Sequence, residues 1–304
     1  MHYKQSTDDP FTAGAVRAGA EHRGPGSPSE PVTAFVLPGG STMGAVQVGM
    51  LRVLVASGIF PDLVVATSVG AMNAAVFIED PTLDGIEHLA RLWTEAPRAQ
   101  IFPFTPIAVA QALVRRQGHL IDNEGLRRWI AEKISFERLE DARRPLHVIA
   151  TDAERHEPVV LSHGDAVTAL LASTALPGVF PPVWFEGRRL VDGGATANVP
   201  VHQAHALGAE RIIVLPTDGG HAPMSGSHPI ERQLHRWLDR VFGKPAVDGP
   251  VADEPIEAAV VYEMPAPPTR EANPFSFRHA GRLIDEATAL SEKWMTDEGA
   301  ALVR

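Results

Sequence analysis

The chain has 304 residues, with 27 Lys+Arg against 37 Asp+Glu, a formal net charge of −10, and no cysteine. The missing cysteine excludes thiol nucleophiles, disulfide frameworks and Cys-ligated zinc or iron–sulfur clusters. The acidic balance argues against a nucleic-acid binder or a polybasic membrane anchor. At 44% apolar and 21% charged the composition is that of a globular chain.

Residues 1–30 are rich in Gly, Pro, Ser, Asp and Glu and hold few large apolar side chains. Such a segment cannot bury enough surface to offset its ordering entropy. It is expected to be a disordered tail, with one α/β domain over 31–304. The first ten residues, MHYKQSTDDP, lack the apolar core of a signal peptide. No stretch reaches the roughly 18 apolar residues of a spanning helix. The expectation is a soluble, cytoplasmic protein, with transient contact at a membrane surface left open.

Val32 to Leu37 is a short apolar run ended by Pro38-Gly39-Gly40, which reads as a buried parallel strand. Val46, Met50, Val53 and Leu54 then follow helical spacing, and Gly58 stops that helix. Leu63 to Ala66 reads as a second strand, and Val69 to Phe77 as a second helix. Strand, tight turn and helix thus recur within a short span, which predicts a parallel sheet with helices on its faces.

The section from Pro81 to Glu140 reads as helical. Leu89, Leu92 and Trp93 mark one helix, Ile107 to Val114 a second, and Leu126, Trp129, Ile130 and Ile134 a third, capped by Asp122 or Asn123. Sheet signals return at Leu146 to Ala150 and Pro158 to Leu161. Asp165 to Ser173 reads as a short helix, and Pro177 to Pro182 as a loop into Val183-Trp184-Phe185. Glu186-Gly187-Arg188 makes a hairpin turn into Leu190-Val191. Val201 to Leu207 is a helix, Arg211 to Leu215 a buried strand and Val260 to Met264 a last strand. Residues 217–229 and 244–256 read as loops. Gly281 to Trp294 has helical spacing and is expected on the outside.

Three segments carry candidate chemistry. The loop Leu37-Pro-Gly-Gly-Ser-Thr-Met-Gly44 lies between a strand and a helix. Its glycines let the backbone turn with N–H groups outward, a nest for a phosphate or an oxyanion. A Walker loop would end in Gly-Lys-Ser/Thr; this one ends in Met43-Gly44-Ala45, so a nucleotide site is weakly supported. The second segment, Val65-Ala-Thr-Ser-Val-Gly70, sets Ser68 at a strand-to-helix turn in the pattern of a nucleophile elbow. The third is Val191-Asp-Gly-Gly194, which by itself is a common turn. A serine nucleophile needs a base, and none of the thirteen histidines lies in a setting that marks it. His147 falls in a strand, His163 in a turn, and His202 and His205 on an ordinary helix.

Taken in order, Gly-Gly-x-x-x-Gly, x-x-Ser-x-Gly and a distant Asp-Gly-Gly resemble the patatin-like phospholipase family. Ala45 to Leu51, Pro61 to Val65, Ala172 to Pro182, Asn198-Val-Pro200 and Phe275-Ser-Phe277 read like that family's segments in the same order. The likeness is strong over residues 32–216. It implies a three-layer α/β/α fold with a central, mostly parallel sheet. It also implies a serine hydrolase of lipid acyl esters working through a Ser–Asp dyad, without cofactor or metal. Ser68 matches the nucleophile and Asp192 the base. Gly39, Gly40 and Ser41 match the oxyanion hole. Ala66, Gly70, Gly44, Gly193 and Gly194 match the supporting positions of elbow and loops.

An ordinary aspartate, near pKa 3.9, is a weak base for a hydroxyl. An apolar surround from Phe180, Pro181 and Trp184 would raise it. Three positions depart from the family pattern: Ser41 replaces the third glycine, Met43 the basic residue, and Ala66 the first elbow glycine. These support a competing expectation, a degenerate member that binds acyl lipids or a partner without turnover. The substrate class expected is a lipid or acyl ester, and the oligomeric state is left open.

Overall fold

The computed structural model describes residues 31–97, 101, 119–218, 259–269 and 275–302. The tail expected at 1–30, the helix at Ile107 to Val114, the 217–229 loop beyond residue 218, and the loop at 244–256 lie outside the described residues.

The strands are β1 (Thr33–Leu37), β2 (Leu63–Thr67), β3 (Leu146–Asp152), β4 (Pro158–Leu161), β5 (Val183–Phe185), β6 (Arg188–Asp192), β7 (Arg211–Val214) and β8 (Val260–Glu263). The described α-helices are α1 (Ala45–Ala56), α2 (Val69–Glu79), α3 (Leu83–Thr94), α4 (Glu124–Lys133), α5 (Ala166–Ser173), α6 (Val201–Ala206) and α7 (Ala280–Thr296). All eight described strands form one sheet. Strands β8, β7, β1, β2 and β3 run parallel, while β4, β6 and β5 are antiparallel to their neighbours.

β1, β2 and β3 are buried along their whole length, which is why they read as continuous apolar runs without alternation. Phe35, Leu37, Val64, Ala66, Val148 and Ala150 point to one face and pack with α1, α2, α3, α5 and α7. Ala34, Val36, Leu63, Val65, Ile149, Ile212 and Val214 point to the other, where Val201 and Ala204 of α6 cover them. The three layers are therefore unequal: among the described residues one face carries most of the helices.

α1 is buried on nearly every side, with only Arg52 and Ala56 reaching the surface. The stripe expected at Val46, Met50, Val53 and Leu54 is part of a helix enclosed between the sheet and α7. α7 lies outside α1 and buries Leu283, Ile284 and Ala287. At α4 the helix starts after Asn123, yet it is Asp122 whose Oδ1 accepts the Glu124 N–H at 3.1 Å. Asp165 caps α5 by accepting the Thr168 N–H at 2.7 Å.

One register detail positions the site. Val148 of β3 faces Ala66 on one side and Leu161 on the other. Ala150 faces Val159 on one side and Asp192 on the other. β4 thus occupies one edge of β3, and β2 and β6 share the opposite edge, end to end. The carboxyl ends of β2 and β6 meet there.

Candidate active site

Ser68 follows β2 directly and precedes α2. Its backbone is at φ 53° and ψ −123°, a conformation side chains rarely adopt. Holding a non-glycine residue there costs about 1–3 kcal/mol, supplied by the packing on both sides. Gly70 shows how tight the turn is: a Cβ there would lie 2.1 Å from the Leu37 carbonyl oxygen. Ala66 is fully buried, and its methyl belongs to the helix-side core. Residue 66 is still in the strand, and its side chain points into the core.

Asp192 is the last residue of β6, and its side chain shares the helix-side face with Leu190 and Ala150. Ser68 Oγ donates to Asp192 Oδ2 at 2.7 Å. Asp192 Oδ1 accepts the Gly194 N–H at 2.8 Å. Burial pushes the Asp192 carboxyl up to about 6, and the hydrogen bonds from Ser68 and Gly194 only partly oppose that shift. Gly193 lets the chain pass close to β3, since a Cβ there would sit 2.3 Å from the Ile149 carbonyl oxygen.

The apolar wall was expected from Phe180, Pro181 and Trp184. Phe180 is buried in the helix-side core. Trp184 is 65% exposed. It pairs with Arg189, and alternation along β6 puts Arg189 and Asp192 on opposite faces. Trp184 therefore does not enclose the carboxylate; depth in the core raises its pKa.

In the loop, a Cβ on Gly39 would be 3.1 Å from Ser68 Cβ. Gly40 rests against Thr217. Ser41 is held at φ 51°, so the missing third glycine leaves a backbone strain at that position. Gly44 abuts Val69 and Trp93. Met43 is buried, and its N–H donates to the Gly40 carbonyl at 3.1 Å. An apolar side chain suits that enclosure, where a lysine or arginine would need a partner.

Sequence reasoning missed three participants. Ser173, fully buried at the end of α5, accepts the Ser68 N–H at 2.8 Å and donates to the Ile149 carbonyl at 2.6 Å. Its hydroxyl bridges the gap where β2 leaves β3. Asn198 Oδ1 reaches the space beside Gly39 and Gly194. Thr217 donates to the Gly39 carbonyl at 3.0 Å. Only the placement of Ser173 and Asn198 in family-like segments hinted at them. Thr217 gave no signal. His147, by contrast, is paired with Ser162 at 2.7 Å, and no described histidine bonds to Ser68 or Asp192. Among the described residues no acidic, histidine or cysteine group has the clustering of a metal site, and no helix is long and apolar enough to cross a membrane.

A mostly parallel sheet with a serine on a strand-to-helix elbow and a buried carboxylate against it defines an α/β protein of the elbow-serine type. The profile of the patatin-like phospholipase family matches residues 35–205, and the chain belongs to that family. It is 29% identical to Patatin-like phospholipase domain-containing protein 7 of Rattus norvegicus, over 60% of this chain and 13% of that protein. It is 29% identical to Lysophospholipase nte1 of Aspergillus terreus, over 60% of this chain and 12% of that protein. This chain thus spans a small part of the length of these relatives. Among solved structures, human GIVD cytosolic phospholipase A2 aligns at a TM-score of 0.47 and 14% identity, covering 96% of this chain and 63% of that one.

Proposed function

We propose that this protein is a serine hydrolase of lipid acyl esters, with Ser68 as nucleophile and Asp192 as the base. The observation that carries the reading is the 2.7 Å hydrogen bond from Ser68 Oγ to a buried carboxylate whose pKa is raised to about 6. A base near neutrality matches the proton it must take and later return. The family's phospholipase name and the relatives' names agree with ester chemistry.

Ser68 Oγ bonds to the ester carbonyl carbon as its proton passes to Asp192 Oδ2. The carbonyl oxygen becomes an oxyanion and is met by backbone N–H groups of the Gly39 to Ser41 loop. Collapse breaks the ester C–O bond, and the departing alcohol takes the proton from Asp192. Water then attacks the acyl-serine carbon, giving its proton to Asp192. The acid leaves, and Ser68 regains its hydrogen. No cofactor enters this cycle. Contact with a lipid surface is proposed to be transient, led by apolar groups, given the acidic net charge.

The test is hydrolysis of a p-nitrophenyl ester and a lipid panel by wild type, Ser68→Ala and Asp192→Asn. Labelling of Ser68 by an organophosphonate accompanies it. Full activity in Ser68→Ala overturns the proposal. The strain at Ser41 favours a second reading, a binder without turnover. Activity that appears only in Ser41→Gly would establish it.

A further inference from the structure

The glycine loop has a buried scaffold of its own. Gln47 on α1 is fully buried, and its Nε2 donates to the Pro38 carbonyl at 2.9 Å and the Leu215 carbonyl at 3.1 Å. Its Oε1 accepts from Asn73 Nδ2 at 2.8 Å, and Asn73 Nδ2 also donates to the Gly44 carbonyl at 2.9 Å. Trp93 Nε1 completes the chain by donating to Asn73 Oδ1 at 2.8 Å. Both amide hydrogens of Gln47 and of Asn73 are used, so neither amide can turn without leaving a buried polar atom unpaired. Thr217, after β7, donates to the Gly39 carbonyl.

We infer that Gln47 and Thr217 fix the direction of the Gly39 and Gly40 amides and are positioning residues for the oxyanion side of the site. A trans peptide is planar, with its N–H opposite to its C=O. Tying the Pro38 carbonyl to Gln47 aims the Gly39 N–H away from Gln47. Tying the Gly39 carbonyl to Thr217 aims the Gly40 N–H away from Thr217. Both anchors are buried, at 0% and 8% exposure, so both amides are turned toward the outer side, where Ser68 stands half-buried beside Gly39. Successive glycines have no side chain to hold a peptide plane. The orientation that a preorganised donor needs is therefore imposed from beneath.

This inference rests on the hydrolytic reading for its catalytic consequence, and its structural part is tested separately. Thr217→Val keeps the shape and removes the hydroxyl. The expected result is a fall in kcat of about 10–100-fold on a p-nitrophenyl ester, with KM within about threefold. Thr217→Ser should restore kcat and melt like wild type, while Thr217→Val, which leaves the Gly39 carbonyl without its donor, should stay folded but melt somewhat lower. Crystal structures of wild type and Thr217→Val should show the Gly39–Gly40 peptide turned or in two orientations in the variant. An unmoved peptide overturns the inference, as does unchanged kcat in a protein whose Ser68→Ala variant is inactive. A wild type without esterase activity refutes the hydrolytic reading instead, and the two crystal structures still decide the orientation.

Discussion

Thr67 and Asp192 stand opposite consecutive residues of β3, Thr67 facing Ile149 and Asp192 facing Ala150. Two strands of opposite direction end at that step. The residue after Thr67 is Ser68, so the serine and the carboxylate are brought together by strand register.

Asp192→Asn should leave the fold intact and raise stability while abolishing turnover. Asn can still accept the Gly194 N–H, and it removes a carboxylate that burial disfavours when ionised. A pKa near 6 against an ordinary value of 3.8 corresponds to roughly 3 kcal/mol at most. A gain of about 1–3 kcal/mol in denaturant unfolding at pH 8 is expected. The ester rate should fall by about 10³-fold or more. A destabilised Asn variant would contradict the burial argument.

Two titrating groups oppose each other on acidification. Asp192, raised to about 6, binds more protons folded than unfolded, so it adds stability as pH falls from 6 to 3.8. His147, lowered to about 4 by burial, binds fewer protons folded than unfolded, so stability falls as pH drops from 6.5 to 4. Asp192→Asn removes only the first effect. The variant should lose more stability than wild type between pH 6.5 and 4, read as the difference in thermal midpoints. In wild type, kcat/KM should rise with pH through about 6 and then level, since Asp192 must be ionised to act as the proposed base.

Ser173→Ala removes the hydroxyl between Ser68 and β3. It leaves the Ser68 N–H and the Ile149 carbonyl without their partner. We expect a loss of about 1–3 kcal/mol and a fall in kcat larger than any rise in KM. Equilibrium unfolding and steady-state kinetics on the same preparation check both.

Restoring glycine should act differently at the two departures. Ala66→Gly deletes a core methyl and adds backbone freedom, so it should destabilise by about 1 kcal/mol. Ser41→Gly relieves a positive φ at an entropic cost of similar size, so stability should change by less than about 1 kcal/mol. Gly70→Ala would set a methyl against the Leu37 carbonyl, and soluble expression of that variant should collapse. Melting curves of the first two variants and the soluble yield of the third separate these outcomes.

Much of this protein is written in local order. Apolar runs of strand length, bounded by glycine and proline, located β1, β2 and β7, and helical spacing located α1, α2 and α7. Strand, turn and helix around Ser68 marked the elbow because that geometry needs small neighbours in a fixed sequence. These features rest on propensity and periodicity, which act within a few residues. Asp192 was singled out by its order relative to other motifs, since nothing near it in sequence distinguishes it from a turn aspartate.

What tertiary structure decided is everything that depends on distant segments meeting. Trp184 looked suited to wall the carboxylate, yet the β5–β6 register turns it to the other face. Ala66 and Met43 depart from the family pattern at the site, and both side chains are buried. The hydroxyl of Ser173 and the Gln47–Asn73–Trp93 scaffold join residues far apart in the chain. Period and composition assign a side chain to a strand or helix. Only register and packing choose its face and its partner, and here that choice presses Ser68 against Asp192 and buries the carboxylate deeply enough to raise its pKa.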